Sequence, residues 1–348
     1  MPIARTTEPL ADLDRRQWMR RAFAATGLGT LLAQKPLQAG GLGIANPNPS
    51  FTEDEPPQEA TLEQMKTKMH DLGLQDVVAV ESDHYAAAGD APEAFMRMIL
   101  GDCQQLVRDY FRYFQTQGFT LEKPKQRLLV AMFRDDKSFG KYLGLPSMQE
   151  AAADGQPLQA AGVYDRATNL LHVFDWRSVP MASRSASRNM ETLAHEGTHQ
   201  LTFNTGVLRR PGDIPLCLIE GFGTYGEARK TMGPSELGRL NLKRMDDLAK
   251  LQRKIPWIPL RELLTDDTVL RAGLAGRIML GYAQSWLLIH YMMNHRELLP
   301  RFRDYLNVVK SRDNDKDRLK DFETFFGDPD AHDPSLQKYA IRLQMSLQ

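Results

Sequence analysis

The chain has 348 residues, 42% of them hydrophobic and 25% charged, which is ordinary globular composition and excludes disorder as the global state. Lys plus Arg and Asp plus Glu both number 44, so there is no net field to hold a polyanion and nucleic acid is not an expected partner. With only Cys103 and Cys217 present, neither a disulfide scaffold nor a thiolate cluster is available, and any metal must rest on carboxylates and the eight histidines.

Residues 1–39 read as an export signal. Asp14-Arg15-Arg16-Gln17-Trp18-Met19-Arg20 sets two arginines ahead of bulky apolar residues, and a weakly apolar Ala/Gly/Thr-rich stretch follows over 22–33. This resembles the twin-arginine signal, with Trp18 in place of the commoner Phe, and implies a periplasmic or secreted protein. The competing reading is a basic amphipathic helix belonging to the fold. Residues 40–60, with Pro47, Pro49, Pro56 and Pro57, cannot bury enough surface to order themselves and are expected to form a flexible tether.

Between 61 and 186 the signals interleave. A helix is predicted over 62–72, a short strand over 77–81, a long amphipathic helix over 92–116, and a compact apolar run over 127–133. Residues 163–164 and 170–174, around the polar turn 165–169, read as a hairpin. From 187 onward nearly every apolar pattern has helical spacing, with breaks expected near Gly206, Gly233, Pro256, Pro259, Pro300 and Pro334. The expectation is an α+β protein, with a mixed lobe over 61–186 carrying an edge hairpin and a helical lobe over 187–348 carrying the chemistry. No apolar run approaches the roughly 20 residues that span a bilayer, so no transmembrane segment is expected in the mature protein.

The chemistry lies in Met190-Glu-Thr-Leu-Ala-His195-Glu196-Gly-Thr-His199, a helix-length segment that ends near Gly206. At four-residue spacing the two imidazoles share a helix face and can grip one divalent ion, while Glu196 reaches a water bound to it. Gly197 costs a helix interior about 1 kcal/mol relative to Ala, which makes sense where another group must approach closely. A catalytic zinc site needs a third protein ligand and an open position. Glu220, in the Gly-rich segment Asp213-Ile-Pro-Leu-Cys-Leu-Ile-Glu220-Gly-Phe-Gly-Thr-Tyr225-Gly-Glu227, is the candidate, carried on a second helix that runs back past the first. No third histidine follows His199 at short spacing, so a three-histidine site is not expected.

These two motifs together resemble the gluzincin metallopeptidases, in particular a group of bacterial gluzincin-like domains. That group's second motif has Trp where this chain has Cys217 and Ala where it has Gly223, and Gly281-Tyr282-Ala-Gln-Ser285-Trp-Leu-Leu-Ile-His290-Tyr resembles its following helix. The resemblance runs from about residue 77 to the C-terminus. It implies a thermolysin-like architecture with the active site between a small mixed sheet and a helical lobe. It also implies Zn2+ on His195, His199 and Glu220, Glu196 as general base, and Tyr282 as a candidate oxyanion donor, the alternative for Tyr282 being a core-packing phenol. The implied activity is hydrolysis of peptide or protein substrates. Two rivals are a zinc amidase acting on cell-wall material, and a peptide-binding or partner-binding module without turnover.

Other residues have plainer expectations. Glu227, seven residues beyond Glu220, either orients a ligand imidazole or is a solvated carboxylate. His84, His172, His290 and His295 are expected to be core or surface groups, Met292 and Met293 core packing, and Cys103 and Cys217 separate buried thiols. The hairpin is expected to be structural, with addition of a substrate strand to its edge as the alternative. The mixed-sign stretch 310–320 reads as solvated.

Overall fold

A computed structural model describes residues 59–147, 162–179, 185–210, 212–228 and 236–347; the expected export signal, nearly all of the expected tether and the expected break at Gly233 lie outside the described residues. The front half contains α1 (Leu62–Asp71), β1 (Val78–Glu81), β2 (Tyr85–Gly89), α2 (Glu93–Thr116), β3 (Leu128–Phe133), α3 (Asp136–Leu143), β4 (Gly162–Asp165) and β5 (Leu170–Phe174). The back half is helical: α4 (Ser185–Asn204), α5 (Leu216–Gly226), α6 (Leu242–Leu251), α7 (Leu260–Thr265), α8 (Thr268–Arg271), α9 (Ala275–Asn294), α10 (Leu298–Val309), α11 (Arg318–Phe326) and α12 (Pro329–Met345). The protein is therefore α+β, with one mixed sheet among the described residues.

The sheet order is β1-β2-β3-β5-β4, in which β2, β3 and β5 run parallel and the edge strands β1 and β4 are antiparallel to their neighbours. Because side chains alternate along a strand, β3 feeds two cores at once. Leu128, Val130 and Met132 join the larger core, which α2 and α4 cover, whereas Ala131 and Phe133 face the smaller one under α1 and α3. The larger core continues without interruption into the helical half, through Phe222 and Tyr225 of α5 to Trp286 and Leu287 of α9. The expected hairpin is present, and its turn places Asn169 at φ 58°, a left-handed conformation that Asn tolerates well. Where the tether was expected to end, Ala60 N–H donates to Thr168 O at 3.0 Å and Glu59 pairs with Arg210.

Three expectations are corrected. Pro300 lies inside the first turn of α10, where a missing N–H has no intrahelical partner to lose, so the helix starts before it. Pro334 sits within α12, which runs through it. The preceding Asp333 accepts hydrogen bonds from Trp257 Nε1 at 2.7 Å and Leu260 N at 3.1 Å, and Leu336, Tyr339 and Ala340 are buried beyond it, so tertiary contacts override the local break. The stretch 310–320 is not simply solvated, since Arg312 and Arg318 are 6% and 4% exposed. Arg318 holds Asp213 and Asp267, and Arg312 reaches Asp213 at 3.3 Å and Asp321 at 2.9 Å. This network fixes the approach to α5, because Asp267 Oδ1 also accepts from Leu216 N at 2.9 Å at the start of that helix.

Candidate metal centre

α4 is pinned along its length to the sheet and the turns at its ends. Asn189 Oδ1 accepts from Trp176 N at 2.9 Å, and Gln200 Nε2 donates to Leu129 O and Asn169 O at 3.1 and 3.2 Å. Asn204 and Asn169 exchange side-chain hydrogen bonds at 2.7 and 2.9 Å. Gly197 faces α2, and a Cβ there would come within 2.7 Å of Leu106 Cδ2, so this glycine admits a close helix crossing. The imidazoles of His195 and His199 are thereby held on the face of α4 that meets α5.

α5 arrives at that face through its glycines. A Cβ on Gly223 would stand 2.5 Å from His199 Cε1 and 2.8 Å from His195 Nε2, and one on Gly226 would meet Thr198 Oγ1 at 2.0 Å. The position where the gluzincin-like pattern has Ala thus has no room for a side chain here. One consequence is testable: Gly223→Ala gains about 1 kcal/mol of helix propensity but incurs an overpacking cost of about 1–3 kcal/mol against two imidazoles. The displaced rings should lower metal affinity by about tenfold or more. Metal titration followed by calorimetry checks this, and undiminished affinity would show that α5 recedes freely.

The close approach brings Glu220 to the histidines. Its Oε2 lies 3.3 Å from His195 Nε2 and 3.8 Å from His199 Nε2, and the two Nε2 atoms are 3.0 Å apart. Donors at about 2.1 Å from a tetrahedral ion are about 3.4 Å from one another, so this triangle has the size such an ion requires. Glu220 is 1% exposed, and its Oε2 has no hydrogen-bond partner among the described residues. A buried carboxylate oxygen left in that condition is costly unless a cation fills the gap. The three residues form the one cluster of metal-ligating type found among the described residues.

Behind these three residues stands a second set of groups. His195 Nδ1 lies 2.8 Å from Glu227 Oε1, which fixes the ring so that Nε2 points at Glu220. Glu227 in turn accepts from Arg244 Nη2 at 2.7 Å and Nε at 3.1 Å, and from Asn241 Nδ2 at 2.8 Å. Glu227 is therefore not a solvated carboxylate; it holds the His195 imidazole in place. Arg244 and Asn241 went unnoticed in the sequence. The available signal was an arginine on the same face of an amphipathic helix as Met245 and Leu248, a place that demands a buried partner.

The electrostatics follow from that arrangement. Burial opposes the charge on His195, but Glu220 and Glu227 outweigh it and hold its imidazole up at about 10. Burial pushes His199 well below the usual histidine range, with the neighbouring charge on His195 adding to the effect. Burial likewise lifts the Glu196 carboxyl to about 8, against the attraction of His195. Glu227 is also buried, yet Arg244 and His195 keep it well below the usual carboxylate range. Glu196 Oε2 accepts from Tyr164 N of the edge strand β4 at 2.8 Å, so the hairpin takes part in the site.

Tyr282 lies on α9, buried, with the Arg244 guanidinium 5.6 Å from its ring centre. It therefore borders the Glu227–Arg244 side of the centre. Five other histidines have partners away from this group: His84 with Gln104, His172 with Val163 O, His290 with Tyr339, His295 with Tyr291 O, and His332 with Phe326 O. Met292 and Met293 are core residues, and both cysteines are free and buried. Among the described residues no helix is long and apolar enough to cross a membrane. No curated protein matches the chain. Residues 189–313, which contain His195, Glu196, His199, Glu220, Glu227, Arg244 and Tyr282, match a family described as proteins of unknown function, DUF1570.

Proposed function

We propose that the chain is an exported zinc-dependent hydrolase of gluzincin type with a thermolysin-like arrangement, and that its substrates are peptides or proteins. The observation that carries this reading is the buried triangle of His195 Nε2, His199 Nε2 and the orphaned Glu220 Oε2, with Glu196 one residue along α4. An antiparallel edge strand beside the metal-binding helix, and a second helix delivering the acidic ligand, support the architecture.

Zinc in such a site supplies an acidified water and a Lewis acid for the carbonyl. Glu196, steadied at Oε2 by the Tyr164 N–H, takes up the proton of the attacking water at Oε1 and passes it to the departing nitrogen. Tyr282 donates to the oxygen on which charge develops. Glu227 and Arg244 keep His195 from turning. A catalytic base beside the ligands has no chemical purpose in a pure binding module, and this favours turnover.

The test is a substrate panel of peptides and peptidoglycan fragments incubated with the zinc-loaded protein. Chelator-sensitive cleavage of peptides is the expected result. Cleavage confined to peptidoglycan would move the assignment to a cell-wall amidase, and zinc binding without cleavage of either would leave a binding module. For export, Arg15→Lys with Arg16→Lys should empty the periplasmic fraction, and an unaltered periplasmic amount would refute the signal.

A further inference from the structure

The acidic groups around the N-terminus of α5 are largely spoken for. Asp267 Oδ1 accepts from Leu216 N and from Arg318 Nη1, each at 2.9 Å, and its Oδ2 lies 3.3 Å from Arg318 Nη2. Arg271, the last residue of α8, finds little left to bind. Its Nη2 stands 3.8 Å from Asp267 Oδ2, too long for a hydrogen bond, and its Nε is buried with no hydrogen-bond partner among the described residues. Guanidinium groups stay charged at physiological pH, so the deficit is not relieved by losing a proton.

The position of Arg271 ties it to the chemistry. Asp267, the carboxylate it faces, accepts from Leu216 N at the start of α5, one turn before Glu220, a proposed metal ligand. On the other side, a Cβ on Gly281, next to Tyr282, would come within 2.8 Å of Cδ2 of Leu270, next to Arg271. Glu220 and Tyr282 are among the groups whose charge acts on Arg271. Arg166 belongs to the same neighbourhood: its charge acts on His199, and Arg271 acts on it in turn. Arg166 is committed to the backbone, donating from Nη2 to Arg210 O at 2.6 Å and Gly212 O at 3.3 Å. Across the centre, Arg244 is occupied by both oxygens of Glu227. Arg271 is thus a guanidinium close to the proposed metal ligands whose nearest carboxylate among the described residues stands beyond hydrogen-bond distance, and the adjacent Arg166 adds positive potential. A planar carboxylate matches an arginine fork better than any other common peptide group.

We propose that Arg271 is a specificity-determining residue that binds a substrate carboxylate beside the metal centre. This rests on the hydrolase reading above and narrows it. The preferred peptides carry either a free C-terminal carboxylate or an acidic side chain close to the bond cleaved.

The experiment measures binding of matched peptides to the zinc-loaded Glu196→Gln protein by calorimetry. The set pairs a free C-terminus with its amide, and an internal Glu with Gln. Each is titrated with Arg271 intact, with Arg271→Gln and with Arg271→Lys, and zinc content is measured throughout. Arg271→Gln should weaken the carboxylate peptide by about tenfold to a hundredfold, the loss of one or two charge-assisted hydrogen bonds, and leave the neutral peptide unchanged. Arg271→Lys should recover part of the difference, and whichever pair shows it identifies the source of the carboxylate. Equal binding of acidic and neutral peptides, equal weakening of both in Arg271→Gln, or loss of zinc from that variant would overturn the subsite while leaving a peptide-binding zinc protein. If no peptide of either kind binds or is cleaved by the zinc-loaded unmodified protein, the hydrolase reading itself falls and the subsite falls with it.

Discussion

Glu196→Gln is expected to leave zinc in place and lower peptide turnover by about 10²–10⁴-fold, the usual contribution of a positioned general base. The substitution is nearly isosteric. An amide oxygen can still accept from the Tyr164 N–H, so the contact that holds the side chain against β4 survives. None of the three proposed ligand atoms is touched, and the hydrogen bond from His195 to Glu227 is unaffected. What disappears is the capacity to accept a proton, because an amide has no basic site at neutral pH. The check is metal content by mass spectrometry alongside steady-state kinetics on one cleavable peptide. Retained zinc with undiminished turnover would eliminate Glu196 as the base, whereas simultaneous loss of zinc would mean that its carboxylate supports the ligands.

How much of this was visible in the sequence depends on the length scale over which each feature is encoded. The pairing of His195 with His199 is a property of one helix, fixed by the 3.6-residue period, and local pattern is sufficient to read it. Glu220 was accessible at longer range because glycines flank it. Gly223 and Gly226 advertise a close helix contact, and the structure shows α4 as the element they admit. Arg318, Asp213 and Asp267 were illegible for the opposite reason. Each looks like a surface charge in its own segment, and only the fold shows that three distant segments neutralise one another at the start of α5. β2 was missed because Tyr85-Ala-Ala-Ala-Gly89 carries almost no strand signal. It is a strand because β1 and β3 pair with it on both sides, and its alanines fit beneath covering helices. α3 likewise escaped notice, although Asp135 caps it by accepting from Ser138 N at 2.8 Å and Gly144 ends it at φ 69°.

The second large effect concerns the metal itself. His199→Ala should reduce bound zinc from one per chain to none, since two donors remain and the one lost forms two sides of the triangle, 3.0 Å from His195 and 3.8 Å from Glu220. The fold should nevertheless persist. The anchors of α4 are Asn189, Gln200 and Asn204, none of which is hydrogen-bonded to a proposed metal ligand, and the core beneath them is continuous from the sheet to α9. Thermal unfolding with and without zinc separates the two consequences. At a free zinc concentration about a thousandfold above its dissociation constant, the unmodified protein gains about 4 kcal/mol and its midpoint rises by several degrees. The variant should show no zinc-dependent shift while still unfolding cooperatively. A zinc-dependent shift of equal size in His199→Ala would place the metal elsewhere. Absence of the shift in both proteins would mean that the unpartnered Glu220 oxygen is satisfied by something other than zinc, and the proposed mechanism would lose its foundation.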